Sequence, residues 1–180
     1  MRPRFLPTLV VIVALAAGCG GEGESASEAW AGDVCSAAAD WRTALDEAAA
    51  AFSNPEELSA ESVRAAVDDG LEATATFVEE LRAAGPPETE AGAEAGAVVE
   101  SLSDGLEADV EELRAALGDE SGSLSELLQQ ASGVAALAAE MVQEVESSLL
   151  QLEELEPAQE LADAIEANED CDEARAGGGG

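Results

Sequence analysis

Apolar residues recur every three or four positions over four long stretches of this chain. In the first stretch the steps between them are 4, 4, 3, 4, 3 and 4, which places them on one face of an α-helix. The positions are Trp30, Val34, Ala38, Trp41, Leu45, Ala48 and Phe52. Asn54-Pro55 ends the stretch, because proline disfavours helix at the residue before it. The pattern therefore predicts a first helix that starts near Ser27 and stops before this proline.

Two further stripes are separated by Gly85-Pro86-Pro87, a strong helix stop. Ser59 is the predicted N-cap of the second helix, which extends to about Ala84. Thr89 is the predicted N-cap of the third helix, which extends to Leu117. The two stripes are Val63, Val67, Leu71, Thr74, Val78 and Leu81, with Phe77 beside them, and then Val99, Leu102, Leu106, Val110, Leu113 and Leu117. Gly92 and Gly96 either admit a neighbouring helix closely or weaken the first turns of the third helix.

The fourth stretch follows a predicted turn at Gly118–Gly122. Ser123 and Glu126 have the spacing of a capping box, and the helix is predicted to extend to about Leu155. Its stripe is Leu128, Ala131, Ala135, Ala138, Val142, Val145, Leu149 and Leu152. Pro157 breaks or kinks the helix, and a short last segment carries Leu161, Ile165 and Cys171. No segment alternates with period two, so no sheet is expected.

Short turns between helices of similar length make consecutive helices antiparallel. The predicted fold is therefore all-α, an up-down-up-down four-helix bundle with a short C-terminal helical appendage. A weak repeat relates two of the helices, since Asp69–Ala73 recurs as Asp104–Ala108 and Val78–Ala84 as Val110–Ala116. The two offsets differ by three residues. Helices rich in alanine and glutamate produce such matches readily, so convergence is favoured over duplication.

The N-terminus has the pattern of a bacterial lipoprotein signal. Arg2 and Arg4 precede an apolar stretch over 5–17, which is too short for the roughly 20 residues that span a bilayer. Leu15-Ala16-Ala17-Gly18-Cys19 resembles a lipobox, where the cysteine receives a diacylglyceryl group and the preceding peptide is removed. The alternative is an ordinary signal peptide with an incidental cysteine. Acylation of Cys19 predicts a lipid-anchored protein on the extracytoplasmic face of the cell membrane.

The predicted organisation follows from that cleavage site. It is a signal peptide over 1–18, a flexible polar tether over 19–28, a helical bundle over 29–175 and a disordered tail over 176–180.

The composition excludes several classes of function. The chain has 7 basic and 40 acidic residues, no histidine and no lysine. Clustered cations, which nucleic acid requires, are missing. Without histidine there is no Ser-His-Asp triad, and without lysine there is no Schiff-base amine or phosphate-loop lysine. The sequence therefore predicts no catalytic residue, no enzyme activity and no cofactor. The acidic surface is interpreted as a solvated face, with a cationic partner or adaptation to high salt as alternatives.

Two cysteines remain once Cys19 carries lipid. Cys35 lies early in the first helix and Cys171 lies beyond the fourth, and an up-down-up-down bundle brings both to the same end. An oxidising compartment favours disulfides, so a Cys35–Cys171 disulfide is predicted. A metal pair is the poorer alternative, because two thiols without histidine do not make a zinc site. The disulfide and the anchor are then expected at one end, with the turns at Asn54-Pro55 and Gly118–Gly122 pointing away from the membrane.

Two other features are candidate sites. Trp30 and Trp41 lie eleven residues apart on one helix face, and a core role is favoured over an exposed ligand platform. The segment Glu169–Glu173 is the densest acidic cluster and has oxygen ligands that suit calcium. It lacks the spacing of an EF-hand loop, so a solvated tail is favoured and no metal site is predicted.

The chain resembles small secreted lipoproteins of high-GC Gram-positive bacteria (actinobacteria). The resemblance rests on Trp30-Ala-Gly-Asp-Val-Cys35, Trp41-Arg42, Phe77-Val-Glu-Glu-Leu-Arg82, Gly85-Pro-Pro-Glu-Thr-Glu-Ala-Gly92 and Glu160-Leu-Ala-Asp-Ala164 followed by Cys171. It implies the lipoprotein location and the disulfide, and it implies no activity. The expected function is that of a binding or structural module at the cell envelope. The alternative is a ligand- or cation-binding accessory protein of a transporter or sensor.

Overall fold

The computed structural model describes residues 25–53, 58–117, 124–155 and 159–176, which form helices and no strand. The helices are α1 (Ala26–Ala50), α2 (Ala60–Ala84), α3 (Gly92–Leu117), α4 (Leu124–Glu153), α5 (Gln159–Glu166) and α6 (Glu169–Ala176). The predicted all-α bundle with C-terminal helices is confirmed. None of the helices within the described ranges has an apolar stretch long enough to cross a membrane. The signal peptide, Cys19, Asn54-Pro55 and the segment 118–123 lie outside these ranges.

The first helix begins earlier than the domain boundary placed after residue 28. Ser25 is its N-cap, and the Ser25 Oγ accepts a hydrogen bond from the Glu28 backbone N–H at 3.1 Å. The Glu28 carboxylate in turn accepts from the Ser25 N–H at 2.7 Å, which completes a capping box. These hydrogen bonds hold the pKa of Glu28 below its usual value. The last three residues of the predicted tether are therefore helical.

The second helix begins and ends where the sequence predicts. The prediction of Thr89 as the N-cap of the third helix is wrong. Thr89 lies in a turn before α3: its N–H donates to the Pro87 carbonyl at 2.9 Å and its own carbonyl accepts from the Gly92 N–H at 3.1 Å. Its hydroxyl is buried and has no partner in the described part of the chain. The first intrahelical bond instead runs from the Ala95 N–H to the Ala91 carbonyl at 2.9 Å. Because of this turn, α3 begins two residues later than the sequence predicts.

The glycines at the start of α3 admit this turn rather than a neighbouring helix. A Cβ placed on Gly96 would lie 2.8 Å from the Pro86 Cβ, and one placed on Gly92 would overlap the Pro87 carbonyl oxygen. Gly85 has a φ of 59°, a conformation that favours glycine. The chain can therefore fold back sharply between α2 and α3.

Successive long helices pack against each other, but α1 and α4 do not close the bundle directly. At one end, α5 and α6 lie between them and pack against both. Leu161, Ile165 and Cys171 are 1%, 1% and 0% exposed, so the predicted appendage is part of the core. α2 also packs against α4, and the two short helices occupy one end of the space, or gap, between α1 and α4.

Both tryptophans belong to the core, as predicted. Trp41 stacks on Phe77 with ring centroids 5.0 Å apart, and its indole N–H donates to the Thr74 Oγ1 at 3.1 Å. The Trp30 indole N–H donates to the Gly85 carbonyl at 2.7 Å. Each ring therefore fixes the pairing of α1 with α2 by apolar burial and by one directional bond.

The stripe predicted for α4 is only half correct. Val145, Leu149 and Leu152 are buried, but Ala135 is exposed and Met141 is buried in preference to Val142. The correct half faces α5 and α6. In the N-terminal half, Ser132, Val134, Ala135 and Ala138 border the pocket described next.

Candidate functional site

An apolar pocket of about 420 Å³ lies in the open half of the gap, at the end of the bundle away from the disulfide. Each of the four long helices contributes to its wall. The described lining residues are Leu45, Ala48, Ala49 and Phe52 from α1 and the turn after it; Ala66, Val67, Gly70, Leu71 and Thr74 from α2; Leu113 from α3; and Ser132, Val134, Ala135, Ala138 and Met141 from α4.

The pocket wall offers a ligand almost no hydrogen-bonding group. None of the described lining residues is charged. Thr74 donates its hydroxyl hydrogen to the Gly70 carbonyl at 2.9 Å and accepts from Trp41. Ser132 donates to the Gln129 carbonyl at 2.7 Å. Because both hydroxyls are already engaged, the wall selects for apolar groups.

The pocket exists because the side chains around it are small. Five of the lining positions from α1, α2 and α4 are alanine, at 48, 49, 66, 135 and 138, and one is Gly70. A closed helix pair would need leucine-sized side chains at several of these positions to fill the space. Leu71 and Met141 are 8% and 1% exposed, so larger residues return where the core closes beneath the pocket.

The volume is suited to a small organic molecule. Ligand pockets generally measure about 300 to 1,000 Å³. An apolar cavity of about 150 Å³ holds benzene, and the same ratio gives this pocket of about 420 Å³ room for about 17 non-hydrogen atoms. A single alkyl chain or a pair of fused rings has this size.

The opposite end of the gap is closed and covalently fixed. Cys35 of α1 and Cys171 of α6 form a disulfide with Cα atoms 4.7 Å apart, and both residues are fully buried. Asn168 caps α6, since its Oδ1 accepts from the Asp170 N–H at 2.9 Å. Arg42, only 7% exposed, donates to both Glu146 of α4 and the carbonyl of Ala174, at 3.3 Å each. This end of the bundle is therefore held together by the disulfide, by the Asn168 cap of α6 and by the buried guanidinium of Arg42.

The acidic cluster at Glu169–Glu173 lies on the first turns of α6. Asp172 lies 3.7 Å from the Arg175 guanidinium, which also pairs with Glu153 at 2.6 Å. In the described part of the chain no set of three or more acidic or cysteine side chains is arranged to hold a metal ion. Asp172 of this segment therefore pairs with Arg175, which links α6 to Glu153 of α4.

A second acidic feature lies between α3 and α4 and was missed from the sequence. The pKa of Asp109 is raised by burial and then by the nearby charges of Glu112 and Glu140. The pKa of Glu144 is raised by burial and by Asp109. Glu144 lies over Gly105, where a side chain on α3 would displace it. These carboxylates repel one another when charged, so they oppose folding at neutral pH.

No known family, curated protein or solved structure matches this chain. The pocket therefore has to be interpreted from its own chemistry. It was not predicted from the sequence, although runs of alanine at the end of α1 and in the first half of α4 were visible there. Ala48, Ala135 and Ala138 lie at helical spacing, which assigns them to the apolar stripes of α1 and α4.

Proposed function

We propose that this protein is a lipid-anchored binding module on the extracytoplasmic face of the cell membrane, and that its pocket holds an aliphatic small molecule. The observation behind binding is the uncharged pocket, whose polar wall groups are already paired. A purely structural bundle would gain stability by filling that space with larger side chains. A ligand-binding accessory role for a transporter or sensor is therefore favoured over a scaffold.

Two features support the location. The sequence around Cys19 resembles a lipobox, and the disulfide between Cys35 and Cys171 is of a kind that persists in oxidising compartments. Ser25, the N-cap of α1, lies only six residues after Cys19. The bundle would therefore be held close to the membrane at its disulfide end.

This attachment sets the direction of the pocket. The 25 residues of α1 span about 37 Å, and the pocket lies near the C-terminal end of that helix. A ligand would therefore be held at the end of the protein that points away from the anchor. That placement suits presentation to another envelope component more than extraction of a lipid directly beneath the protein.

The location is tested with the full-length chain and Cys19→Ser in an actinobacterial host. Membrane fractionation and labelling with an alkyne analogue of palmitate should place the unmutated protein in the membrane fraction and label it. Cys19→Ser should lose the label and leave the membrane fraction. An unlabelled, non-membrane protein with an intact Cys19 would refute the anchor.

Binding is tested by titrating a neutral amphiphile, dodecanol, into purified protein below its solubility limit. Ala138→Leu places a larger side chain in the pocket, while Ala139→Leu makes the same change at the next, exposed residue of α4. We expect one site per protein, at least about tenfold weaker in Ala138→Leu and unchanged in Ala139→Leu. Equal affinity in both variants, or no binding to the unmutated protein, would refute the role of the pocket.

A further inference from the structure

The outward side of α4 differs from the rest of the surface. Between Gln129 and Gln151, eleven described residues of α4 are exposed, and Glu140 is the only charged residue among them. The exposed residues that carry charge are five of ten on α1, seven of ten on α2 and seven of twelve on the described part of α3. This side of α4 therefore departs from the general acidity of a chain that has 40 acidic and 7 basic residues.

Six of the uncharged exposed residues form one row along the helix, which we call the α4 face. The steps between them are 4, 3, 4, 4 and 3, so they lie on the same side of α4. They are Ser132, Ala136, Ala139, Gln143, Ser147 and Leu150. Leu150 is 52% exposed and is the only large apolar side chain exposed in the described part of the chain. Such spacing is typical of a helix that packs lengthwise against another helix.

The acidic residues next to the α4 face are turned to other partners. The Glu146 carboxylate lies 3.3 Å from the Arg42 guanidinium, and Glu144 lies over Gly105 of α3. Exposed charges act on one another only within about 8 Å at physiological ionic strength. Two copies of this chain that met through α1, α2 or α3 would bring carboxylates against carboxylates. Among the long helices, α4 is the one through which two such acidic copies can meet with little repulsion.

We infer that two copies of this chain pair through their α4 faces on the membrane, with the two α4 helices side by side. The inference rests on the lipid anchor of the proposed function and adds a partner, which is a second copy of the same chain. The two-fold axis runs parallel to α4, because this arrangement puts the disulfide ends and the Cys19 anchors of both copies on one side. Each residue of the face then lies opposite itself in the other copy.

The size of the α4 face determines where the pair forms. From Ser132 to Leu150 the helix rises about 27 Å, and one helix is about 10 Å wide. The contact therefore covers about 270 Å² per copy, a third of the roughly 800 Å² that each partner of a stable complex buries. Such a contact is weak in dilute solution. Attachment of both copies to one membrane raises their local concentration and favours the pair without any further contact.

The test uses the full-length chain in an actinobacterial host, with one added cysteine in each variant. Ala136→Cys and Ser147→Cys lie towards the two ends of the α4 face, and Ala108→Cys lies at an exposed position of α3. Because Cys35 and Cys171 are joined and Cys19 carries lipid, only the added thiol reacts with a short bismaleimide applied to membranes. Both α4 variants should give a crosslinked dimer, at least about tenfold more than the α3 variant. An antiparallel pair would crosslink neither α4 variant to itself and would refute the arrangement.

Added charge distinguishes the α4 face from the general repulsion between copies. Ala139→Glu with Gln143→Glu places two carboxylates on the face, and Ser101→Glu with Ala108→Glu adds the same net charge at exposed positions of α3. In the Ala136→Cys background the first pair should lower the yield of dimer at least about tenfold, and the second should leave it within about twofold. An equal loss in both pairs, or no loss in the first pair, would overturn the α4 face as the contact.

The outcomes also separate this inference from the proposed function. Cys19→Ser should abolish the crosslink, because the released chain is diluted and the contact alone is too small to hold the pair. If Ala136→Cys carries the palmitate label but gives no dimer, the anchor stands and the pairing is refuted. If the unmutated protein is not labelled, the anchor fails and the pairing on the membrane fails with it. A crosslinked product whose mass differs from that of two copies shows another partner on the α4 face and overturns the second copy.

Discussion

Gly70→Ala is the most direct probe of the space between α1 and α2. Gly70 lies inside α2, lines the pocket, and has an ordinary helical conformation. A Cβ placed there would have the Leu45 Cδ2 as its nearest neighbour, at 3.7 Å. That is normal van der Waals contact, so the added methyl fits without moving α1.

The expected effect is stabilisation. Alanine is favoured over glycine in a helix interior by about 1 kcal/mol. Burying one methyl against Leu45 adds at most about 0.8 kcal/mol, and less because the pocket is partly open. The free energy of unfolding should therefore rise by about 1 to 1.5 kcal/mol. For a protein of this size that raises Tm by roughly 2 to 6 °C.

Gly133→Ala is the matched control, because Gly133 is also helical and a Cβ there meets no atom of the described residues within 4 Å. It should gain only the propensity contribution, so the difference between the two variants measures the methyl in the pocket. Chemical denaturation with the disulfide intact gives both values. If Gly70→Ala is less stable than the unmutated protein while Gly133→Ala is more stable, α1 and α2 pack more closely than described and the pocket is smaller.

Three further changes test the rest of the core. Replacing Cys35 and Cys171 together by alanine should lower the free energy of unfolding by about 2 to 5 kcal/mol in denaturant titrations, and no loss would argue against the crosslink. Thr74→Val removes the acceptor of the buried Trp41 indole N–H, and should cost about 1 to 3 kcal/mol by the same assay. Glu144→Gln should be more stable than the unmutated protein at neutral pH. Because burial raises the folded pKa of Glu144 above its ordinary 4.5, the charged form opposes folding above that folded pKa. The stability advantage of Glu144→Gln should fade as the pH falls toward 4.5. An advantage that grows as the pH falls would show that the folded pKa of Glu144 is not raised.

Much of the fold followed from local patterns. Ser59 and Gly85 bound α2 as predicted, because a cap and a glycine-proline stop depend only on neighbouring residues. Thr89 was misassigned for the same kind of reason, since Ser, Thr or Asn before an apolar stripe usually caps a helix. Here the hydrogen bonds of the Pro87 turn determine the start of α3, and these depend on the path of the chain after α2.

The pocket could not be predicted from such local patterns. Periodicity assigned Ala135 to a core stripe, but periodicity states only which residues share a face. Whether that face is covered depends on the positions and side-chain sizes of the neighbouring helices, here α1 and α2, which the stripe itself does not give. The disulfide was accessible because topology and compartment constrained only two remaining cysteines.

The two ends of the gap are linked by the geometry of the bundle. Where α5 and α6 separate α1 from α4, the disulfide and Arg42 fix the spacing. The pocket begins about 15 Å further along α1, because its first lining residue there, Leu45, follows Cys35 by ten positions. Two rigid helices held apart at one end remain apart at the other, unless their small side chains draw them together. The alanines that line the pocket can therefore leave it open only while the closed end keeps its spacing. On this reasoning the C-terminal helices do more than complete the core, because they set the width of the pocket from the opposite end of the protein.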